Sequence, residues 1–264
     1  MTFLAADPLD HVKAHALWKC GDYTLTNHLL MLIVAAVILM IALPIAARSR
    51  SIVPRGFRNL LEAILQYIRE DVARPVLGHH TDHFVPFLWT MFFLILTANL
   101  LGMIPLGAMA APVDAHLEHI GGTATANISI TAGLALCSLV FIHAMAIREQ
   151  GIGQYVKLFV PSVPWPLLLI FLPLEILTWF FIRPFALAMR LFANMLAGHI
   201  VLAVILSFAV VGLEMAGGGY GITLVSVAGA VALSLLEVFV AFLQAYIFTF
   251  LTTLFVGMAV HPEH

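Results

Sequence analysis

Several stretches of this chain stay apolar, without alternation, for close to twenty residues or more. Crossing a hydrocarbon core of about 30 Å takes about 20 residues of helix at 1.5 Å each. A strand lining a membrane barrel would alternate instead, so a β-barrel is excluded. Apolar residues make up 62% of the 264 and charged residues only 10%, where a soluble domain carries roughly a quarter charged. A soluble globular fold is therefore excluded as well. The expectation is an all-α, polytopic membrane protein with about five membrane helices and one amphipathic surface helix. The net charge of −2 shows no polybasic excess, so nucleic acid is not an expected partner. Cys20 and Cys137 are too few for a disulfide framework or a four-cysteine metal site.

Residues 1–27 mix aspartates with Lys13, Lys19 and two histidines and lack the basic-then-apolar order of a secretory signal. They are expected to form an outward-facing segment ahead of a single membrane domain over 28–264. Within that domain the first span covers about 29–47 and stops at Arg48 and Arg50. Over 52–77, Phe57, Leu60, Leu61, Ile64, Leu65 and Ile68 recur at helical spacing against Arg58, Glu62, Arg69 and Glu70. That pattern predicts an amphipathic helix on a membrane surface or against a partner helix. Further spans are expected over 84–104, ending at Pro105, and 128–147, ending at Arg148. After Lys157 the chain is apolar almost to its end, with a turn expected at Gly217-Gly218-Gly219 between segments of about 165–211 and 222–259. Residues 165–211 are twice too long for one perpendicular crossing. Either they cross twice, broken near Arg183-Pro184, or they form one tilted and bent helix. Hydropathy leaves both open, and composition slightly favours two crossings.

Orientation follows from the basic residues. Six of the twelve Lys and Arg lie between Arg48 and Arg74, and Arg148 and Lys157 follow the third span. Both segments are expected on the cytoplasmic side. The loop at 106–124, with Asp114, His116, Glu118 and His119 but no Lys or Arg, is then expected outside together with the N-terminus, and the C-terminus inside.

The last two apolar segments hold Glu175, Arg183, Arg190, Asn194, His199, Glu237 and Gln244. Ionisable groups at membrane depth must face a protein interior or a hydrated cavity, and they mark functional sites. Glu175 and Arg183 also fit snorkelling beside a bend at Pro184, and Arg190 also fits an ion pair with another helix. On a helix, Arg183, Arg190, Asn194 and Ala197 share one stripe, and His199 points to the opposite face. Glu237 and Gln244, seven residues apart, share a face of the last helix, which lets Glu237 approach His199.

The run from Arg183 through Arg190-Leu191-Phe192-Ala193-Asn194-Met195-Leu196-Ala197-Gly198-His199 closely resembles the signature of subunit a of the F-type ATP synthase. Leu243-Gln244-Ala245-Tyr246-Ile247-Phe248-Thr249 resembles that family's C-terminal motif. Asn99-Leu100-Leu101-Gly102-Met103-Ile104-Pro105 and Thr125-Ala126-Asn127-Ile128-Ser129 add weaker matches. The resemblance runs over essentially the whole chain after residue 28. It implies two long, steeply tilted C-terminal helices against a ring of c subunits, with peripheral-stalk b subunits as further partners and H⁺ as the translocated ion. It also implies that Arg190 is the family's essential arginine, that Asn194 and Gln244 are its polar neighbours, and that His199 and Glu237 are a coupled pair, exchanged in position in some members. Asn99, Asn127 and Ser129 are expected to line the same outward entrance as that pair, and Glu175 to belong to an inward path.

On this reading Arg190 keeps its proton at every relevant pH, so it attracts an ionised ring carboxylate without relaying the proton. A carboxylate entering lipid must be neutral. Two access paths opening on opposite sides then let protons pass only as the ring turns, each charge yielding about 2.3 kcal/mol per 100 mV. No cofactor is implied, and the chain carries no P-loop or nucleophile motif for catalysis of its own. Two other classes compete. A metal site would draw on His79, His80 and His83 or on His116 and His119, which lie in loops expected on opposite sides. A stand-alone secondary transporter with a mid-membrane charged site would need an internal repeat, and the halves of this chain show none. The absence of a transit-like segment points to a bacterial cytoplasmic membrane.

Overall fold

The computed structural model describes residues 16–20, 23–47, 56–104, 122–159, 164–215 and 219–260. Several sequence expectations lie outside them, namely the stops at Arg48 and Arg50, the loop carrying Asp114, His116, Glu118 and His119, Pro105, and Gly217-Gly218.

The chain opens with an antiparallel ribbon, β1 (Ala16–Cys20) and β2 (Tyr23–Thr26), in which Trp18 pairs with Leu25 and Cys20 with Tyr23. Helices follow: α1 (Asn27–Ala47), α2 (Phe57–Tyr67), α3 (Arg74–Leu77), α4 (Thr81–Gly102), α5 (Ile128–Leu158), α6 (Trp165–Leu177), α7 (Arg183–Glu214) and α8 (Tyr220–Val260). Five helical stretches are long and apolar enough to cross a membrane. The protein is thus an all-α multi-pass membrane protein, with the ribbon as its only strands among the described residues.

Two helical stretches widen into π-helix, at Ile68–Ala73 between α2 and α3 and at Thr178–Ile182 between α6 and α7. The second resolves the length problem. The backbone stays right-handed helical through Arg183, so residues 165–214 form one continuous helix with a π-turn just ahead of Arg183-Pro184. At 1.5 Å per residue its contour is about 75 Å. The third span overruns its expected end at Arg148, and its helix is interrupted at Gly151, whose φ of 78° only glycine adopts readily. Gly78, at φ 53°, separates α3 from α4 in the same way.

Backbone contacts group the chain into two units. One gathers the described residues of Met1–Ala36, Leu96–Ile130 and Arg190–Gln244. Its cores are small-residue contacts: Met31, Ala35, Ala98 and Ala124 in one cluster, and Ala126, Met195 and Ala241 in another. Small residues let helix backbones approach where lipid removes any hydrophobic drive between helices.

Within this unit α7 and α8 run antiparallel in a fixed register. A Cβ on Gly212 would lie 2.5 Å from Thr223 Oγ1, and one on Gly229 would lie 3.8 Å from Ile205. A Cβ on Gly198 would lie 2.7 Å from Glu237 Oε1, and Met195 packs with Ala241 one turn further on. Steps down α7 are matched by nearly equal steps along α8. The Thr223 hydroxyl locks the end of the ladder by donating to the Ala209 carbonyl at 3.1 Å.

The other unit comprises Val37–Ile95, Thr131–Met189 and the described part of Ala245–His264. It buries Phe84, Leu88, Phe92 and Ile95 of α4. Phe87 stacks on Phe141 with centroids 3.6 Å apart. The amphipathic α2 docks on α4: Leu61 and Ile68 are buried, and Trp89 Nε1 donates to the Leu65 carbonyl at 3.0 Å. Arg69 bonds to Asp82 at 2.6 Å, so this helix is tied to the protein through its polar residues too.

Candidate functional site

The site is built from α7 and α8 and the short segment ahead of α5. His199 Nδ1 lies 3.0 Å from Glu237 Oε1, with the two side chains 17% and 5% exposed. The distance is that of an ion pair, although the angles fall outside hydrogen-bond geometry and leave Oε1 otherwise unpartnered among the described residues. Gly198 makes this approach possible, because any Cβ there would meet the carboxylate. The Ala-Gly-His order in the sequence thus combines a titratable ring with the bare backbone beside it.

The second nitrogen, His199 Nε2, bonds to the hydroxyl of Thr123. Thr123 precedes the 3₁₀ turn Ala124–Ala126 and is buried. Its carbonyl accepts from Nδ1 of His28, the second residue of α1, at 2.9 Å. Two residues on, Thr125 donates to Asn99 Oδ1 at 2.6 Å. Asn99 is fully buried, and its Nδ2 has no hydrogen-bond partner among the described residues. Gly102, at the end of α4, is pressed so close to Thr123 that a Cβ would lie 2.4 Å from the Thr123 Cα. His28 and Thr123 were not singled out by sequence reasoning. A histidine opening an apolar span was the available signal for the first, and no local signal marked the second.

The remaining candidates sit as follows. Arg190 is exposed on α7 and makes no hydrogen bond or ion pair among the described residues. Along its face Ala193, Ala197 and Val201 are exposed as well, and Asn194 is half-buried. Gln244 is buried on α8 on the side of Glu237. Asn127 caps α5, its Oδ1 accepting the Ser129 amide at 2.9 Å, and the Ser129 side chain is exposed. In the other unit Glu175 accepts from Trp179 Nε1 at 2.9 Å, and the guanidinium of Arg183 lies 3.6 Å over the Trp179 ring and 4.8 Å from that of Phe255. Arg183 therefore spends its charge on aromatic faces. It is separated from Arg190 in environment, although the sequence put both on one stripe.

Among the described residues no group of three or more His, Cys, Asp or Glu side chains could hold a metal. His80 instead lies 3.4 Å from Glu149. In the second unit an unanticipated aromatic box surrounds His143, which stacks on Phe180 at 4.7 Å and meets the Tyr155 hydroxyl at 3.0 Å.

Arg190 thus lies exposed on α7, and His199 and Glu237 meet in the interior of the same unit, on helices apolar and long enough to cross a membrane. Residues 28–257 match the family model of the ATP synthase A chain. A relative from Chloroherpeton thalassium named ATP synthase subunit a is 41% identical over 92% of this chain and 69% of its own length. One of the same name from Myxococcus xanthus is 42% identical over 93% of this chain and 76% of its own. For one from Anaeromyxobacter dehalogenans the figures are 41%, 89% and 58%. The chain belongs to the ATP synthase A chain family.

Proposed function

We propose that this chain is the proton-conducting stator subunit of an F-type ATP synthase, working against a ring of c subunits and held by peripheral-stalk b subunits. The observation that carries this reading is Arg190, an exposed guanidinium with no counter-charge among the described residues, beside the exposed apolar Ala193, Ala197 and Val201 of α7. A bare cation in hydrocarbon costs several kcal/mol, and on this reading its partner is a carboxylate of another polypeptide. Ala193, Ala197 and Val201 beside it leave room for a helix to approach closely. A ring carboxylate arriving there loses its proton, because the guanidinium favours the ionised form and has no proton to give. The same charge bars direct leakage between two half-channels that open on opposite sides.

The outward half-channel runs past Asn99, Thr123, His199 and Glu237, with Asn127 and Ser129 near its mouth. Supporting this is the buried polar cluster they form, in which Asn99 Nδ2 and Glu237 Oε1 retain unmet hydrogen-bonding capacity suited to water. Asn194 and Gln244 flank the crossing point, and Glu175 belongs to the inward path. The chain acts as one membrane domain over 28–264 and catalyses no bond-making itself. It sits in a bacterial cytoplasmic membrane with its N-terminus outside and C-terminus inside, consistent with the basic residues around α2 and after Arg148.

Arg190→Ala in the assembled complex is expected to abolish ATP-driven proton pumping while the complex stays assembled and its detached catalytic head still hydrolyses ATP. Retained coupled pumping would overturn the reading.

A further inference from the structure

We infer that Thr123 is a positioning residue that partners Nε2 of His199 in both protonation states of the ring, and that His28 anchors Thr123 for this purpose. The inference deepens the proton-path reading above and rests on it. A neutral imidazole has one N–H and one bare nitrogen, and the partners of the ring decide between them. Nδ1 faces Glu237 Oε1 at 3.0 Å. The pair is close without hydrogen-bond geometry, so the influence is that of charge: whenever the Glu237 carboxylate is ionised, it favours the hydrogen on Nδ1. Nε2 is then bare and needs a donor, which the Thr123 hydroxyl supplies.

A hydroxyl both donates and accepts. When His199 takes a second proton at Nε2, the same Thr123 oxygen rotates to receive that N–H. One side chain therefore serves the ring in both protonation states, which a carbonyl or an ammonium could not. A proton accepted at Nε2 and one released at Nδ1 toward Glu237 leave the hydrogen on Nε2, so a ring turn or a tautomer exchange restores the starting state before the next transfer.

For this the hydroxyl must be held in place, and the surrounding contacts do so from separate elements. A carbonyl only accepts, so the 2.9 Å bond from His28 Nδ1 to the Thr123 carbonyl fixes the backbone to α1. Gly102 presses on Thr123 from the end of α4, and the Thr125 bond to Asn99 pins the segment to α4 a second time. His28 is 1% exposed, buried well beyond what a loop anchor near water requires. Among the described residues the titratable groups meeting His199 are Glu237 from α8 and, beyond Thr123, His28 from α1. Arg190 lies nine residues back on the helix of His199, on its other face.

The test compares wild-type, Thr123→Val and Thr123→Ser chains in the complete complex reconstituted in lipid vesicles. Proton-driven ATP synthesis is followed against the pH of the outward side, and the His199 tautomer is read by ¹⁵N NMR of labelled histidine. Valine matches threonine in shape and lacks the hydroxyl. It is expected to slow synthesis on the order of tenfold and to displace the pH profile, while serine restores both. His28→Gln, which keeps a donor, should hold the wild-type profile where His28→Leu loses it. A valine profile superimposing on wild type, valine and serine impaired alike, or Gln and Leu behaving alike at position 28 would each overturn the inference. Should the valine chain fail to assemble, the wild-type spectrum decides, since His199 protonated at Nε2 in its neutral form leaves Thr123 no bare nitrogen to serve and overturns the inference. An unchanged valine profile beside a dead Arg190→Ala complex would remove this inference alone, whereas an active Arg190→Ala complex would remove the reading beneath it.

Discussion

Gly198 decides whether His199 and Glu237 can meet, because its missing side chain is where the carboxylate lies. The obstructing atom is the end of a flexible side chain, so Gly198→Ala should not unfold the hairpin. It should rotate Glu237 off His199 and slow proton-driven synthesis, with the complex recovered in normal amount; normal rates would show that the close approach is dispensable. The chemistry-bearing types at this site were legible in the sequence because membranes exclude them elsewhere: Arg190, His199, Glu237 and Gln244 stand out against apolar neighbours. Thr123 and His28 were not, since a threonine is unremarkable at a helix entry and the two are 95 residues apart. Their relation exists only through packing. Asn127 adds a structural role that the sequence did not announce, its side-chain oxygen capping α5.

At the level of elements, the register of α7 against α8 is what delivers Glu237 to His199. Glycines at 198, 212 and 229 mark where the two backbones close on each other or on a side chain. One alanine inserted between Ala230 and Val231 would rotate everything beyond it by about 100°, carrying Glu237 off the α7 face while leaving the Gly212–Thr223 end intact. Such a chain is expected to insert into the membrane and to lose proton-driven synthesis. The measurement is synthesis rate together with chain abundance in membranes, and a wild-type rate would mean that the register is not needed. Helix positions were legible from hydropathy, whereas Arg148 does not stop the third span, whose helix runs past it to the break at Gly151. The path of residues 165–214 was not, because apolar length alone cannot separate one bent helix from two crossings. Nothing in Thr178–Ile182 announces a π-turn either, as its residues are as apolar as those on either side. The ribbon at Ala16–Thr26 went unread because attention to long spans passes over runs of four or five residues.

For the whole molecule, the distribution of Lys and Arg leads to a topology that labelling can check. With Cys20 and Cys137 replaced, a cysteine at Arg148 is expected to react with an impermeant reagent from the cytoplasmic side, and one at Gly122 from the outside. The reverse pattern would invert the assignment of the half-channels. The helical stretch Pro166–Glu214 has only 11% of its apolar window buried within the chain, and Tyr220–Ala259 only 17%, against 50% for Phe57–Gly102. The two segments that carry the site are thus sparsely covered by their own protein, as is Asn27–Ile45 at 17%.

That lack of cover has a bearing on biosynthesis. On the proposed reading, the newly inserted chain shows lipid a cation at Arg190 that has no ion-pair partner among the described residues, a flaw that membrane quality control is equipped to notice. Its survival should therefore track the supply of a carboxylate-bearing neighbour, and cells making this polypeptide by itself should degrade it quickly. Coordinated production would then follow from one side chain, with no dedicated regulator needed to keep unassembled copies from persisting.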